Sequence, residues 1–377
     1  WDGLVPDFST EGAQKVFGDY HRGLADEGVS GFKLDECDSS DFTANWGFAN
    51  FAQFPSGMDG EQMHMLFGAL YQKTMTAIYR EKHQRTWGEV RNSTALCAPY
   101  PYVLYSDLYA HEDFVRGMAS AACSGILWTP EVRQADSDEE LLMRIAAAVF
   151  SPQMVLNCYQ VKTPPWTQWD MWKNLDGVLL ENREELTAKC RELLNFRMKL
   201  IPLLYAAYYR YEQTGVPPIR PLVLDYPADE TARPIYDEFI LGDGLLAAPL
   251  IYGGGRERRI WLPEGEWYDY WTDEKLDGSQ WITRPANPGD LPLFVRAGTL
   301  LALAEPVQHV DRETRFQMHF TAYGANASFC ELISDDGETD AYKHSAVTAR
   351  FVADKASLCG VDPYGRYAVA SFRRVGG

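Results

Sequence analysis

Apolar positions in the first 160 residues switch repeatedly between two periods. Ala13, Val16, Phe17, Tyr20 and Leu24 recur at helical spacing behind Ser9, a residue suited to cap a helix. Met63, Leu66, Phe67, Leu70 and Ile78 repeat that spacing, as do Leu141, Leu142, Ile145 and Val149 in a helix predicted over 138–150. Short apolar runs between them predict five strands: one ending at Asp35, then 86–90, 102–108, 125–132 and 153–159. Alternating strands and helices imply a parallel sheet with right-handed crossovers. Each strand carries a polar or charged residue near its C-terminal end. That arrangement fits part of a (β/α)8 barrel better than a complete doubly wound sheet.

The texture then changes. The Trp-rich segment Pro164-Pro-Trp-Thr-Gln-Trp-Asp-Met-Trp172 precedes a helical stretch over about 181–214, which Gly215-Val-Pro-Pro218 ends. Beyond it the chain predicts short strands at 219–224, 239–241, 245–250, 260–262, 267–271, 293–295 and 300–303. Gly242-Asp-Gly244, Gly253-Gly-Gly255 and Pro263-Glu-Gly265 read as hairpin chemistry, and the whole as an all-β sandwich. A second set of weak strands follows Pro306. The predicted fold is α/β: the C-terminal portion of a TIM-type barrel at 1–214, a proximal β-sandwich at 215–305, and the start of a distal β-domain at 306–377.

Composition narrows the partners. Apolar residues make up 46% and aromatics 13%, with 11 Trp and 21 Tyr, enough for a large core and for aromatic surface suited to flat-faced sugars. The net charge of −18 repels polyanions, which excludes nucleic acid and anionic membrane as favoured partners. The basic stretch Arg256, Arg258 and Arg259 beside the triple glycine reads as a solvated hairpin tip. No apolar run approaches the ~18 residues of a membrane span. Seven cysteines without Cys-x-x-Cys spacing read as reduced core residues, neither a disulfide framework nor a zinc site, and favour a cytoplasmic bacterial setting. No His pair has metal spacing, and His64, His83 and His111 read as structural. No metal or organic cofactor is called for, and oligomeric state is left open.

The densest chemistry lies in Gly28-Val-Ser-Gly-Phe-Lys-Leu-Asp-Glu-Cys-Asp38. Lys33 and Asp35 are two apart, so on an extended strand both side chains point the same way. A neighbouring cation favours the ionised carboxylate that a nucleophile needs. A second strand-end carboxylate, Asp107, lies among aromatic residues that would desolvate it and raise its pKa, as a proton donor requires. It fits equally well as the N-cap of a helix beginning near Ala110. Two such carboxyl groups flanking one bond are the machinery of glycoside hydrolysis, with retention at a separation of ~5–5.5 Å and inversion at ~6.5–9.5 Å. Glu89 with Arg91, and Glu131 with Arg133, end two further strands. Either glutamate suits the acid; each also suits positioning substrate hydroxyls or pairing with its neighbouring arginine.

Several segments together resemble glycoside hydrolase family 31, the retaining α-glycosidases. Pro6-Asp-Phe8 and Gly28 to Asp35 are similar to the family's nucleophile region, with Asp35 at the nucleophile. Arg91, Tyr100-Pro101 and Tyr105-Ser-Asp107 resemble the stretch leading to its acid/base aspartate. Phe150-Ser-Pro152, Arg197 to Tyr205, Leu241 to Pro249 and Pro292 to Gly298 follow in family order, so the resemblance runs to about residue 305.

The resemblance implies a terminal α-linked sugar as substrate, with Lys33, Arg91, Glu131 and Asn157 as substrate-binding residues. Leu104 and Ser106 stand where the family shows Trp and Gly, Thr129-Pro-Glu-Val-Arg133 replaces a His-Asp-Ile-Gly-Gly-like segment, and Asn157 replaces a sugar-contacting His. These departures point away from maltose-type glucosides and toward an α-galactoside. Family members carry a β-sandwich and further barrel strands before the position of Trp1, so the chain is expected to be a fragment of a longer enzyme. Two alternatives stand beside hydrolysis: a transglycosylase using the same carboxylate pair, and a catalytically silent carbohydrate-binding protein on this fold.

Overall fold

Helix α1 (Glu11–Asp26) starts where Thr10, in extended conformation, accepts the Ala13 N–H at 3.4 Å. Ser9, the predicted cap, instead donates its hydroxyl to Asp7. The apolar stripe is also phased differently from expectation. Phe17, Gly18, His21 and Ala25 turn inward, while Val16 and Tyr20 are exposed. These come from a computed structural model, which describes residues 5–37, 48–106, 110–157, 160–161, 164–166, 181–326, 328–354 and 357–376. Its contacts separate the chain into two units: 1–106 with 124–128 and 337–345, and 107–123 with 129–336 and 346–377.

In the first unit, parallel strands β1 (Lys33–Leu34), β2 (Gly88–Val90) and β3 (Tyr102–Ser106) alternate with α1 and with α2 (Gly60–Glu81). A capping box between Asp59 and Gln62 begins α2. Leu34, Met63, Phe67, Met75, Ile78, Val90 and Tyr102 form the core beneath the strands. Gly88 permits the close pairing: a Cβ there would lie 2.3 Å from Phe32 O and 2.6 Å from the Tyr102 ring. Leu104 N–H donates to Leu127 O as the chain returns toward β4 (Trp128–Pro130).

Residues 337–345 also belong to this unit. Thr339 bridges Gln84, Arg85 N–H donates to Glu338 O, and the Arg85 guanidinium carbon lies 4.1 Å from the centre of the Tyr342 ring.

In the second unit, α3 (His111–Cys123) and β5 (Gln134–Ala135) precede α4 (Asp138–Ala148). Ser137 caps α4 through the Glu140 N–H. The strand predicted over 153–159 is shorter and later: Val155 makes a single parallel bridge with Glu131, and β6 (Gln160–Val161) pairs with β5. The helical stretch after 181 is two helices, α5 (Arg183–Lys199) and α6 (Ile201–Thr214). Pro202 lacks the N–H that an unbroken helix would need there, and it suits the first turn of α6. Gly215 ends α6 at φ 75°.

The β region begins with β7 (Ile219–Pro221). The rest of the predicted 219–224 strand is the short helix α7 (Leu222–Asp225). Next come β8 (Phe239–Leu241), β9 (Leu245–Ala247), β10 (Glu257–Leu262), β11 (Glu266–Asp269), β12 (Lys275–Asp277), β13 (Gln280–Pro285) and β14 (Leu293–Arg296). Six strands form one antiparallel sheet ordered β12-β11-β14-β9-β8-β7, and β10 pairs with β13. Gly242-Asp-Gly244 is a hairpin loop between β8 and β9. The triple glycine and Pro263-Glu-Gly265 are not hairpin turns; they carry the chain between these two sheets. Nor is the basic stretch merely solvated: Arg256 pairs with Glu139 and Arg258 with Asp237.

After 306 the stretches 316–323, 328–333 and 348–353 alternate buried with exposed or half-buried positions. β15 (Leu300–Ala304), β16 (Phe316–Tyr323) and β20 (Tyr367–Val375) form one sheet, and β17 (Ser328–Ile333), β18 (Thr348–Ala353) and β19 (Leu358–Val361) another. Phe316, Met318, Phe320 and Ala322 pack with Cys330, Leu332, Ala349, Phe351 and Ala353 in a shared core. No helix among the described residues is long and apolar enough to cross a membrane. No disulfide forms among them either. Cys37, Cys97, Cys190 and Cys330 are buried, whereas Cys123 and Cys359 are exposed, contrary to the expectation of core positions throughout.

Candidate active site

The register of the first sheet determines which residues meet. Lys33 pairs with Glu89, and Leu34 with Val90; Glu89 pairs with Val103, and Val90 with Leu104. One step further along, Asp35, Arg91 and Tyr105 stand side by side at the C-terminal ends of three parallel strands, where barrel chemistry is placed. Arg91 Nε donates to Asp35 Oδ1 at 2.8 Å, and the Glu36 N–H donates to the same oxygen at 2.8 Å. Both of these hydrogen bonds fall on Oδ1. The Asp35 side chain is 43% exposed. Burial works to raise its carboxyl, but the Tyr105 hydroxyl, Arg91 and the Glu36 N–H together outweigh it and hold the group below the ordinary aspartate value.

Lys33 and Asp35 are both exposed while Leu34 between them is buried, as the strand alternation requires. Lys33 Nζ lies 3.9 Å from Glu89 Oε2 and 3.9 Å from the Tyr105 ring centre. The cation bonded to Asp35 is thus Arg91, and Glu89 faces Lys33. Tyr105 was legible only as an aromatic neighbour of Asp107. It is fully buried, and the Arg91 guanidinium carbon lies 5.1 Å from its ring centre. Its ionisation is pushed far up, first by burial and then by Asp35. Asp107 itself, the proposed partner of Asp35, lies outside the described residues, as does Cys158.

The second unit holds the other two sequence-predicted residues, and they meet. Asn157 Nδ2 donates to Glu131 Oε2 at 3.0 Å; Glu131 is buried, and Asn157 is exposed. The bridge from Glu131 to Val155 and the Val132 N–H to Val155 O bond place their backbones. The turn leading there is clamped by the buried Arg197, which donates to the carbonyls of Val149, Ser151 and Pro152. The histidines make structural contacts: His64 with Asn50, His83 with Asp340, and His111 with Leu250 O. Among the described residues, no group of three or more His, Cys, Asp or Glu could hold a metal ion.

Comparison with known proteins gives this geometry a setting. The chain is 34% identical over 155 residues to the alpha-glucosidase 2 of Bacillus thermoamyloliquefaciens, an alignment covering 41% of this chain and 20% of that protein. It is 35% identical over 109 residues to the isomaltosyltransferase of Sporosarcina globispora, covering 29% of this chain and 10% of the other. A dextranase structure from Flavobacterium johnsoniae shares the fold with a TM-score of 0.79 at 20% identity, covering 98% of this chain and 48% of that one. The chain therefore spans only part of the length of each. The model of the glycosyl hydrolases family 31 TIM-barrel domain matches residues 1–207, more than half of the chain, and that of the family's C-terminal domain matches 215–301. With a barrel whose strand ends carry Asp35, Arg91 and Tyr105 followed by β-sheets in the family's order, the chain belongs to glycosyl hydrolase family 31.

Proposed function

We propose that the protein containing this chain is a retaining α-glycosidase acting on a terminal α-linked sugar. The observation that carries the reading is Asp35: a strand-end carboxylate, accessible to solvent, ionised, and fixed through Oδ1 by Arg91. In the first step the Asp35 carboxylate attacks the anomeric carbon, and the glycosidic oxygen leaves with a proton from Asp107. In the second, Asp107 removes a proton from water, which attacks the same carbon and releases Asp35. Two inversions give net retention, an outcome that paired carboxyl groups typically achieve at a separation of ~5–5.5 Å.

Lys33 and Arg91 orient sugar hydroxyls beside the nucleophile. Glu131, by accepting from Asn157, fixes the amide that contacts the sugar. An α-galactoside is the proposed substrate, because Leu104, Ser106 and Asn157 replace residues of the maltose-type sites. Glycosyl transfer by the same carboxylates is the second reading, favoured by the similarity to an isomaltosyltransferase.

The test is a panel of 4-nitrophenyl α-glycosides with the complete protein and its Asp35→Ala variant. Hydrolysis of an α-galactoside that falls by about 10³-fold or more in the variant supports the reading. A variant working at near wild-type rate would end it. Product analysis at high acceptor concentration separates transfer from hydrolysis.

A further inference from the structure

Tyr105 is the member of the strand-end row to which the glycosidase reading gives no task. Its side chain is fully buried, yet its hydroxyl has no hydrogen bond of good geometry. A buried hydroxyl without a well-aligned hydrogen bond is destabilising, so phenylalanine would pack as well here unless the oxygen serves a purpose. Its surroundings are specific. The ring carries Lys33 Nζ at 3.9 Å and the Arg91 guanidinium at 5.1 Å from its centre, contacts that a phenol face favours. The hydroxyl interacts with the Asp35 carboxylate and the Arg91 guanidinium.

We propose that Tyr105 is a positioning residue of the glycosidic site: its ring holds Lys33 and Arg91, and its hydroxyl closes a hydrogen bond onto Asp35 as the sugar binds, orienting the carboxylate for attack. The inference rests on the reading of Asp35 as nucleophile. Removing the hydroxyl also removes one influence that keeps the Asp35 carboxyl low. Activity requires the ionised form, so its loss on acidification then sets in at higher pH.

Tyr105→Phe keeps the ring and deletes only the oxygen. In the complete protein, assayed beside Asp35→Ala on the same 4-nitrophenyl α-glycoside, Tyr105→Phe is expected to lower kcat about tenfold with little change in KM. The acid limb of its kcat/KM profile moves to higher pH, and its melting temperature does not fall. Wild-type kcat and an unmoved acid limb, with Asp35→Ala inactive, would reduce Tyr105 to a packing residue while leaving the glycosidase reading intact. An active Asp35→Ala would instead overturn that reading and this inference with it.

Discussion

Asp35 at the end of β1 and Glu238 just before β8 are both carboxylates beside a sheet, and their surroundings drive them in opposite directions. The Asp35 side chain is 43% exposed, with Arg91 at 2.8 Å, and is held below its ordinary pKa. The Glu238 side chain is 1% exposed, and its nearest guanidinium, Arg258, lies 3.9 Å away. Burial pushes Glu238 up to about 8, although the Trp261 N–H donates to it at 3.0 Å. A cation at hydrogen-bond distance preserves charge where water still reaches; at 3.9 Å in a sealed core it does not. Asp35 is thus held toward its anionic form and Glu238 pushed toward its neutral one.

Removing each carboxylate should expose that contrast. The largest effect is expected at Asp35, the proposed nucleophile: truncation to alanine should abolish hydrolysis of the 4-nitrophenyl α-glycoside. Next comes Arg91→Met, which removes the bonded cation but keeps much of the stem. It should lower kcat/KM by roughly 10–100-fold and shift the acid limb of the pH profile upward, because Asp35 then protonates more readily. An unchanged acid limb would mean that Arg91 does not govern Asp35.

The smallest effect is on stability. Unfolded Glu238 releases its proton near 4.5, while the folded group holds it to about 8, so stability falls as pH rises through that window. Glu238→Gln cannot titrate. It should melt at roughly 2–4 °C above the wild type near pH 8 and at the same temperature near pH 4, measured by thermal unfolding. Equal melting temperatures at both pH values would show Glu238 to be ionised in the fold.

Much of this was legible where local pattern suffices. The run from Gly28 to Asp35 exposes its strand, its buried Leu34 and its two outward charges in sequence, and the alternation of strands and helices gives the barrel. What stayed hidden depends on distant neighbours. In α1 two overlapping stripes satisfy the same period, and only packing against Phe67 and Tyr71 selects the one through Phe17. Arg91 and Lys33 were both expected to keep Asp35 ionised; that Arg91 makes the bond while Lys33 faces Glu89 follows from strand register across 56 residues. The triple glycine permits a hairpin chemically; that it changes sheets is decided by β10 pairing with β13. The attachment of 337–345 to Gln84 and Arg85 leaves no local mark at all. Tyr105 did leave a signal, since it sits two residues before Asp107 on a strand parallel to that of Asp35, but its aromatic character suggested desolvation alone.

The most direct test of Asp35 is covalent trapping. A fluorinated α-glycosyl fluoride of the sugar that the enzyme accepts slows both steps and lets the glycosyl-enzyme ester accumulate, and peptide mass spectrometry then locates it. One added glycosyl group is expected, on the peptide containing Asp35. Inactivation with the label on any other carboxylate, or steady turnover of natural substrate with retention and no ester at Asp35, would contradict it.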